Sequence, residues 1–212
     1  MRHLRFAVGV ALATSTALAA QQADAKTHFI IRKGNDTLAI ERFSRDAGTL
    51  TGDITQSNGL HWEYVANLRQ DNTVEHVELS REPKGGPVGL LSVDFADTLV
   101  KATFTAGTQS QNLSLSTLAK PLPFLLLSFA FSEQIVRATN PVQGKPVKWM
   151  AVRLGAGDTA TMTVTRVSAD SVTISVPQGD LKLSVSSTGD VLGALFPPQQ
   201  WVVERKSNGS KP

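Results

Sequence analysis

Read for its apolar and polar positions, most of the chain alternates with period two. LHWEYVANLRQ, the turn Asp71-Asn72 and TVEHVELSR predict an antiparallel hairpin pairing Leu68 with Glu75, Ala66 with Val77, Tyr64 with Leu79 and Trp62 with Arg81. One face of that hairpin carries Leu60, Trp62, Tyr64, Ala66, Leu68, Val77 and Leu79. The other carries His61, Glu63, Asn67, Arg69, His76, Glu78 and Ser80, as expected of a sheet with one face in water. An earlier hairpin is predicted from 28–33 and 37–44, closed by Gly34-Asn35-Asp36. Further strands are predicted at 89–95, 99–105, 111–116, 147–154, 159–167, 171–176, 181–186, 191–195 and 201–205. The fold class is therefore mainly β: a curved antiparallel sheet or incomplete barrel of about a dozen short strands. The pair Asp-Thr recurs at Asp36-Thr37, Asp97-Thr98 and Asp158-Thr159, each 61 residues after the last. Asp in a turn followed by Thr opening a strand is common chemistry, so turn grammar accounts for it better than a duplicated unit.

One stretch breaks the alternation: PLPFLLLSFAFSEQIVRATNP, from Pro121 to Pro141. Prolines bracket it, no glycine interrupts it, and its length exceeds a strand, so one central apolar helix is predicted over about 123–138. At 1.5 Å per residue such a helix spans roughly 22 Å, too short for a bilayer. Its polarity is graded along its length. Ser132, Glu133, Gln134 and Arg137 allow a solvent face in the second half, whereas Phe124, Leu125, Leu126, Leu127 and Phe129 cover every direction in the first. That half is either enclosed by protein or borders something apolar. The candidate lining of an apolar cavity is Trp62, Tyr64, Phe104 and Trp149 from the sheet with Phe124, Leu125, Leu126, Leu127, Phe129 and Phe131 from the helix.

The N-terminus changes the setting. Arg2 and Arg5, the apolar run from Phe6 to Leu12, and the small-x-small sites Ala17-Leu18-Ala19 and Ala23-Asp24-Ala25 predict a signal peptide over 1–25. A periplasmic or secreted bacterial protein is expected, made of one β-rich domain over 26–206 and a disordered tail over 207–212. The chain has no cysteine, so a disulfide-permissive compartment is entered without disulfides and the fold relies on packing. A formal net charge of +3 without any basic stripe gives no reason to expect nucleic acid. No transmembrane segment is expected in the mature chain.

Signal peptide, absent cysteine, many strands and a Phe/Leu-rich helix at Phe124 to Phe131 together resemble the periplasmic lipoprotein carriers of the Lol system. That resemblance implies an incomplete barrel lidded by helices around a lipid. GNDTLAIERFSR, Gly34 to Arg45, is similar to the opening of uncharacterised secreted bacterial proteins.

Catalytic chemistry finds little support. His61-x-Glu63 and His76-x-Glu78 share one face, but His61 falls opposite Glu82, roughly 20 Å along the strand from His76, and two ligands do not make a zinc site. No metal and no cofactor is assigned. Gly155-Ala156-Gly157-Asp158-Thr159-Ala160 fits a loose dinucleotide pattern, yet TMTVTRV follows where a helix is needed, so a hairpin loop is predicted. Asp94 and Asp97 have the odd spacing of opposite faces and suggest no carboxylate pair. No catalytic residue is assigned. The leading expectation is an exported protein that binds or carries a lipid or acyl chain between curved sheet and helix. The alternatives are an interaction module with a filled core meeting a protein partner, and an enzyme with an unrecognised site.

Overall fold

The computed structural model describes residues 27–117 and 119–207. The predicted signal peptide at 1–25 and the tail from 208 onward lie outside the described residues. An antiparallel meander comes first: β1 (Thr27–Lys33), β2 (Asp36–Arg45), β3 (Thr49–Gln56), β4 (His61–Leu68), β5 (Val74–Glu82), β6 (Gly89–Phe95), β7 (Leu99–Ala106) and β8 (Gln109–Ser116). The short β9 (Leu122–Phe124) and the helix α1 (Phe129–Thr139) follow. A second meander is formed by β10 (Val147–Arg153), β11 (Asp158–Ser168), β12 (Ser171–Val176), β13 (Gly179–Val185), β14 (Val191–Phe196) and β15 (Trp201–Ser207). β15 pairs antiparallel with β1, Ile31 opposite Val203, and so fuses the two meanders. The product is one open sheet of fifteen strands, ordered β8-β7-β6-β5-β4-β3-β2-β1-β15-β14-β13-β12-β11-β10-β9.

The sheet is curled. β5 and β9 are eleven places apart in this order, about 50 Å in a flat sheet at the usual strand spacing. Yet β9 packs against β5. The two edges therefore overlap without hydrogen bonding to each other, and β6, β7 and β8 lie beyond the point of contact. A curled sheet has an inside. Phe29 and Ile31, Leu50 and Ile54, Val172 and Ile174, Leu181 and Leu183 alternate inward, nearly all without solvent exposure. Among the described residues no helix is long and apolar enough to cross a membrane.

Two strands exceed the predicted dozen or so and change the count. β3 escaped because TLTGDITQ offers only Leu50 and Ile54 as apolar inward residues, with Gly52 between them. Gly52 is there because the Tyr64 ring crosses it: a Cβ would stand 2.6 Å from the Arg42 carbonyl oxygen and as close to the ring. β9 lies inside the stretch expected to be helical. The hairpin register agrees at Ala66–Val77, Tyr64–Leu79 and Trp62–Arg81, but Leu68 faces Val74, not Glu75. The cause is a longer turn: Asn72 adopts φ 62°, the Arg69 N–H donates to the Thr73 carbonyl, and the added residue makes a bulge.

The helix is shorter than predicted, 11 residues and not the span 123–138. Leu122 and Pro123 are extended, as the residue before proline prefers, and pair in parallel with Ala151 and Val152. Ser128 then starts the helix as its N-cap, its Oγ accepting from the Phe131 N–H, and Asn140 ends it in the left-handed conformation. The expected solvent face is also corrected. Ser132, Glu133 and Gln134 are all buried: the Ser132 hydroxyl donates back to the Ser128 carbonyl, while Glu133 and Gln134 meet partners on the sheet and turns and not water.

Candidate functional site

Two buried carboxylates hold α1 in the trough of the sheet. Glu41 of β2 is completely enclosed below the helix N-terminus. It accepts hydrogen bonds from the Tyr64 hydroxyl at 2.7 Å, from the Ser128 hydroxyl, and from the backbone N–H groups of Phe129 at 2.6 Å and Ala130 at 3.2 Å. A carboxylate there satisfies helix donors that would otherwise be orphaned. Burial nevertheless pushes its carboxyl up to about 7, against the opposing pull of those four hydrogen bonds. Burial and the neighbouring Glu41 also raise the Tyr64 phenol well above its ordinary range. One turn further on, Glu133 of the helix itself meets Arg205 at 2.7 Å, Arg137 at 3.4 Å and Arg45 at 3.6 Å, and accepts from the Val191 N–H at 3.0 Å. Arg205 also lies over the Phe29 and Phe43 rings. These groups fasten the helix, and the two carboxylates are fully buried.

The open space lies beside the helix, not under it. A cleft of about 640 Å³ is walled by Leu79 of β5, Leu91 of β6, Ala102 and Phe104 of β7 and Leu113 of β8, and faced by the turn Leu154–Gly157. The register builds this wall: Leu79 stands opposite Leu91, Leu91 opposite Phe104, and Ala102 opposite Leu113. Gly89 leaves room for the Phe104 ring, which would lie 3.2 Å from a Cβ there. Phe104 and Leu113 are each 44% exposed, high for inward-facing residues of their size. A recess of about 270 Å³ adjoins it, lined by Ile54, Trp201 and the segment Phe124 to Leu127. Trp62, Gly155 and Ala156 border both spaces, so cleft and recess lie side by side.

Six of the ten residues singled out from sequence border one or other of these spaces: Trp62, Phe104, Leu126 and Leu127 with partly exposed side chains, Phe124 and Leu125 as buried residues. The other four lie in the core. Tyr64 is bound to Glu41 and tilted against Phe131, Phe129 packs on Phe29, and Trp149 is 6% exposed with an indole N–H lacking a partner among the described residues. The linings from Leu79, Leu91, Ala102 and Leu113 were not singled out. Extending the β4–β5 register across three more strands would have aligned them on the same face as Trp62.

The remaining candidates separate. Gly155-Ala156-Gly157 forms the β10–β11 turn, where the N–H groups of Ala156 and Gly157 donate to the Arg153 carbonyl, and a strand follows. His61 faces Glu82 as expected and pairs with Glu63 at 3.3 Å, while His76 pairs with Asp94 at 2.7 Å on the outer face. Asp97 is in a turn beside Lys120, apart from Asp94. Among the described residues no group of three or more His, Asp or Glu is arranged for a metal ion.

No protein-family model matches the chain, and no curated protein matches it. A crystal structure of a DUF1089 family protein from Pseudomonas aeruginosa is similar, with a TM-score of 0.56 and 16% identity over 74% of this chain and 89% of that one. At that identity the likeness establishes a shared fold and nothing about activity.

Proposed function

We propose that this is an exported protein that binds a lipid or acyl chain in the cleft between the curled sheet and the segment leading into α1. One observation carries the reading. Large apolar side chains, Phe104 and Leu113, stay 44% exposed on the inner face of a sheet whose inward apolar residues on β1 to β3 and β12 to β13 are mostly buried. They do so in a space of about 640 Å³ that adjoins a second recess, within the size range of small-molecule sites. Covering such surface is favourable by about 25 cal/mol per Å². Export over residues 1–25 would place the protein where an apolar molecule needs a carrier through water.

Native mass spectrometry of the protein purified from its own periplasm, followed by organic extraction, tests this. The expected result is a stoichiometric lipid-sized adduct. Leu126→Asp should remove that adduct while the fold persists, because Leu126 borders the recess and is only half-buried. Phe129→Asp, by contrast, should fail to fold, since Phe129 has no exposure and an unpaired buried carboxylate costs several kcal/mol. An adduct-free native mass that no added lipid shifts would overturn the reading.

A further inference from the structure

The charges around the cleft are one-sided. No aspartate or glutamate lines either the 640 Å³ cleft or the recess beyond Trp62, but two arginines do. Arg153 is satisfied by a fork of two hydrogen bonds to Asp158 across the β10–β11 turn. Arg81 is not. It is an exposed residue of β5 on the inward side, directly opposite Trp62, and its guanidinium lies 5.6 Å from the Trp62 ring centroid. Among the described residues it pairs with no carboxylate.

Stacking on an aromatic ring engages only the face of a guanidinium. Its five N–H donors lie in the plane of the group, in a fork that matches a carboxylate or phosphate. Trp62 therefore does two things at once. It lies beside the Arg81 cation at the border of the cleft, and it also borders the recess lined by Leu125 to Leu127. Gln111, opposite Phe104 on the same wall, and Asn112 add amides to the cleft lining beside Arg81.

We infer that the ligand is an anionic amphiphile, an apolar chain ending in a carboxylate or phosphate, with its oxyanion on Arg81 and its chain running past Trp62 into the recess. This rests on the binding function proposed above and specifies its ligand class. A neutral chain gains only apolar burial in this cleft. An anionic one gains in addition a charge-assisted hydrogen bond to a cation that has no internal partner.

Decanoate, decyl phosphate and decanol are titrated into the mature protein, with binding read from the fluorescence of Trp62 and Trp201, which both border the recess. The two anions should bind about tenfold tighter than the alcohol, and the gap should shrink as salt rises. Whichever anion binds more tightly identifies the headgroup. Arg81→Gln should bring the anions down to the affinity of decanol without changing decanol itself, and Arg81→Lys should restore part of the gap through charge without the fork. Because Arg81 is exposed, both variants should keep the wild-type unfolding midpoint. Equal affinity for all three chains, or an anion preference that survives Arg81→Gln, would overturn the headgroup assignment and leave the apolar cleft standing. No binding by any of the three would overturn the cleft reading together with it.

Discussion

Glu41 shows how one residue sets a helix in place. The Tyr64 hydroxyl reaches it across β3 only because position 52 is glycine, and Ser128 bridges it to the start of α1. Its raised value has a signed consequence. With a folded value of about 7 above an ordinary 4.5, the folded state holds more protons than the unfolded one between those limits. Its contribution to stability is thus full below about pH 4.5, falls as pH rises, and is lost above about 7, an effect on the order of 3 kcal/mol. Urea unfolding at pH 5 and pH 8 should show this step in the wild type. Glu41→Gln should unfold at lower urea throughout and lack the step, since an amide does not titrate and cannot accept from all four donors. A variant that kept the full step would assign it to another group.

At the scale of elements, α1 was legible as a helix but not in its bounds or its surroundings. Pro121, Pro123 and Pro141 framed it correctly as a segment. Where it starts was decided by a long-range partner: Ser128 caps it, Glu41 receives its first N–H groups, and Leu122 to Phe124 are drawn into a strand by β10. The burial of Glu133 was equally hidden. A Glu and an Arg one turn apart on a helix ordinarily read as a wet face, and nothing local indicates that Arg45 and Arg205 arrive from two distant strands. Glu133→Ala would leave three guanidinium groups around a buried gap. The expected cost is about 3–5 kcal/mol in the chemical unfolding midpoint. A loss below about 1 kcal/mol, typical of surface ion pairs, would mean that these arginines are solvated in solution. The β4–β5 hairpin, in contrast, could be read almost to the residue. Its strands are adjacent in sequence, alternate cleanly and are joined by a short turn, so only the bulge before Val74 was missed.

Across the whole molecule the helix divides the sheet unequally. It packs among β1, β2, β4, β14 and β15, whereas β7 and β8 have no helix above them, and every residue of β8 except the half-buried Leu115 is exposed. Local stability should follow this division. In native-state hydrogen exchange, amides of β1, β2 and β15 should exchange last and those of β7 and β8 first, and a bound acyl chain should slow β7 and β8 selectively. Uniform protection across the sheet, or slowing confined to the helix, would contradict a ligand on the β5–β8 wall.

The sequence by itself determined most of the strand pattern, the single helical segment and the hairpin between β4 and β5. All of these depend on neighbours close along the chain, where period, proline and turn chemistry act directly. The tertiary structure alone decided that the sheet overlaps without closing, that Tyr64, Phe129, Phe131 and Trp149 lie in the core, and that Arg81 stands free at the cleft. It also buried Glu41 and Glu133 between the helix and the sheet. Those outcomes depend on the curl that sets β9 against β5 and on pairings across much of the chain, such as β1 with β15, which no local pattern of apolar and polar residues encodes.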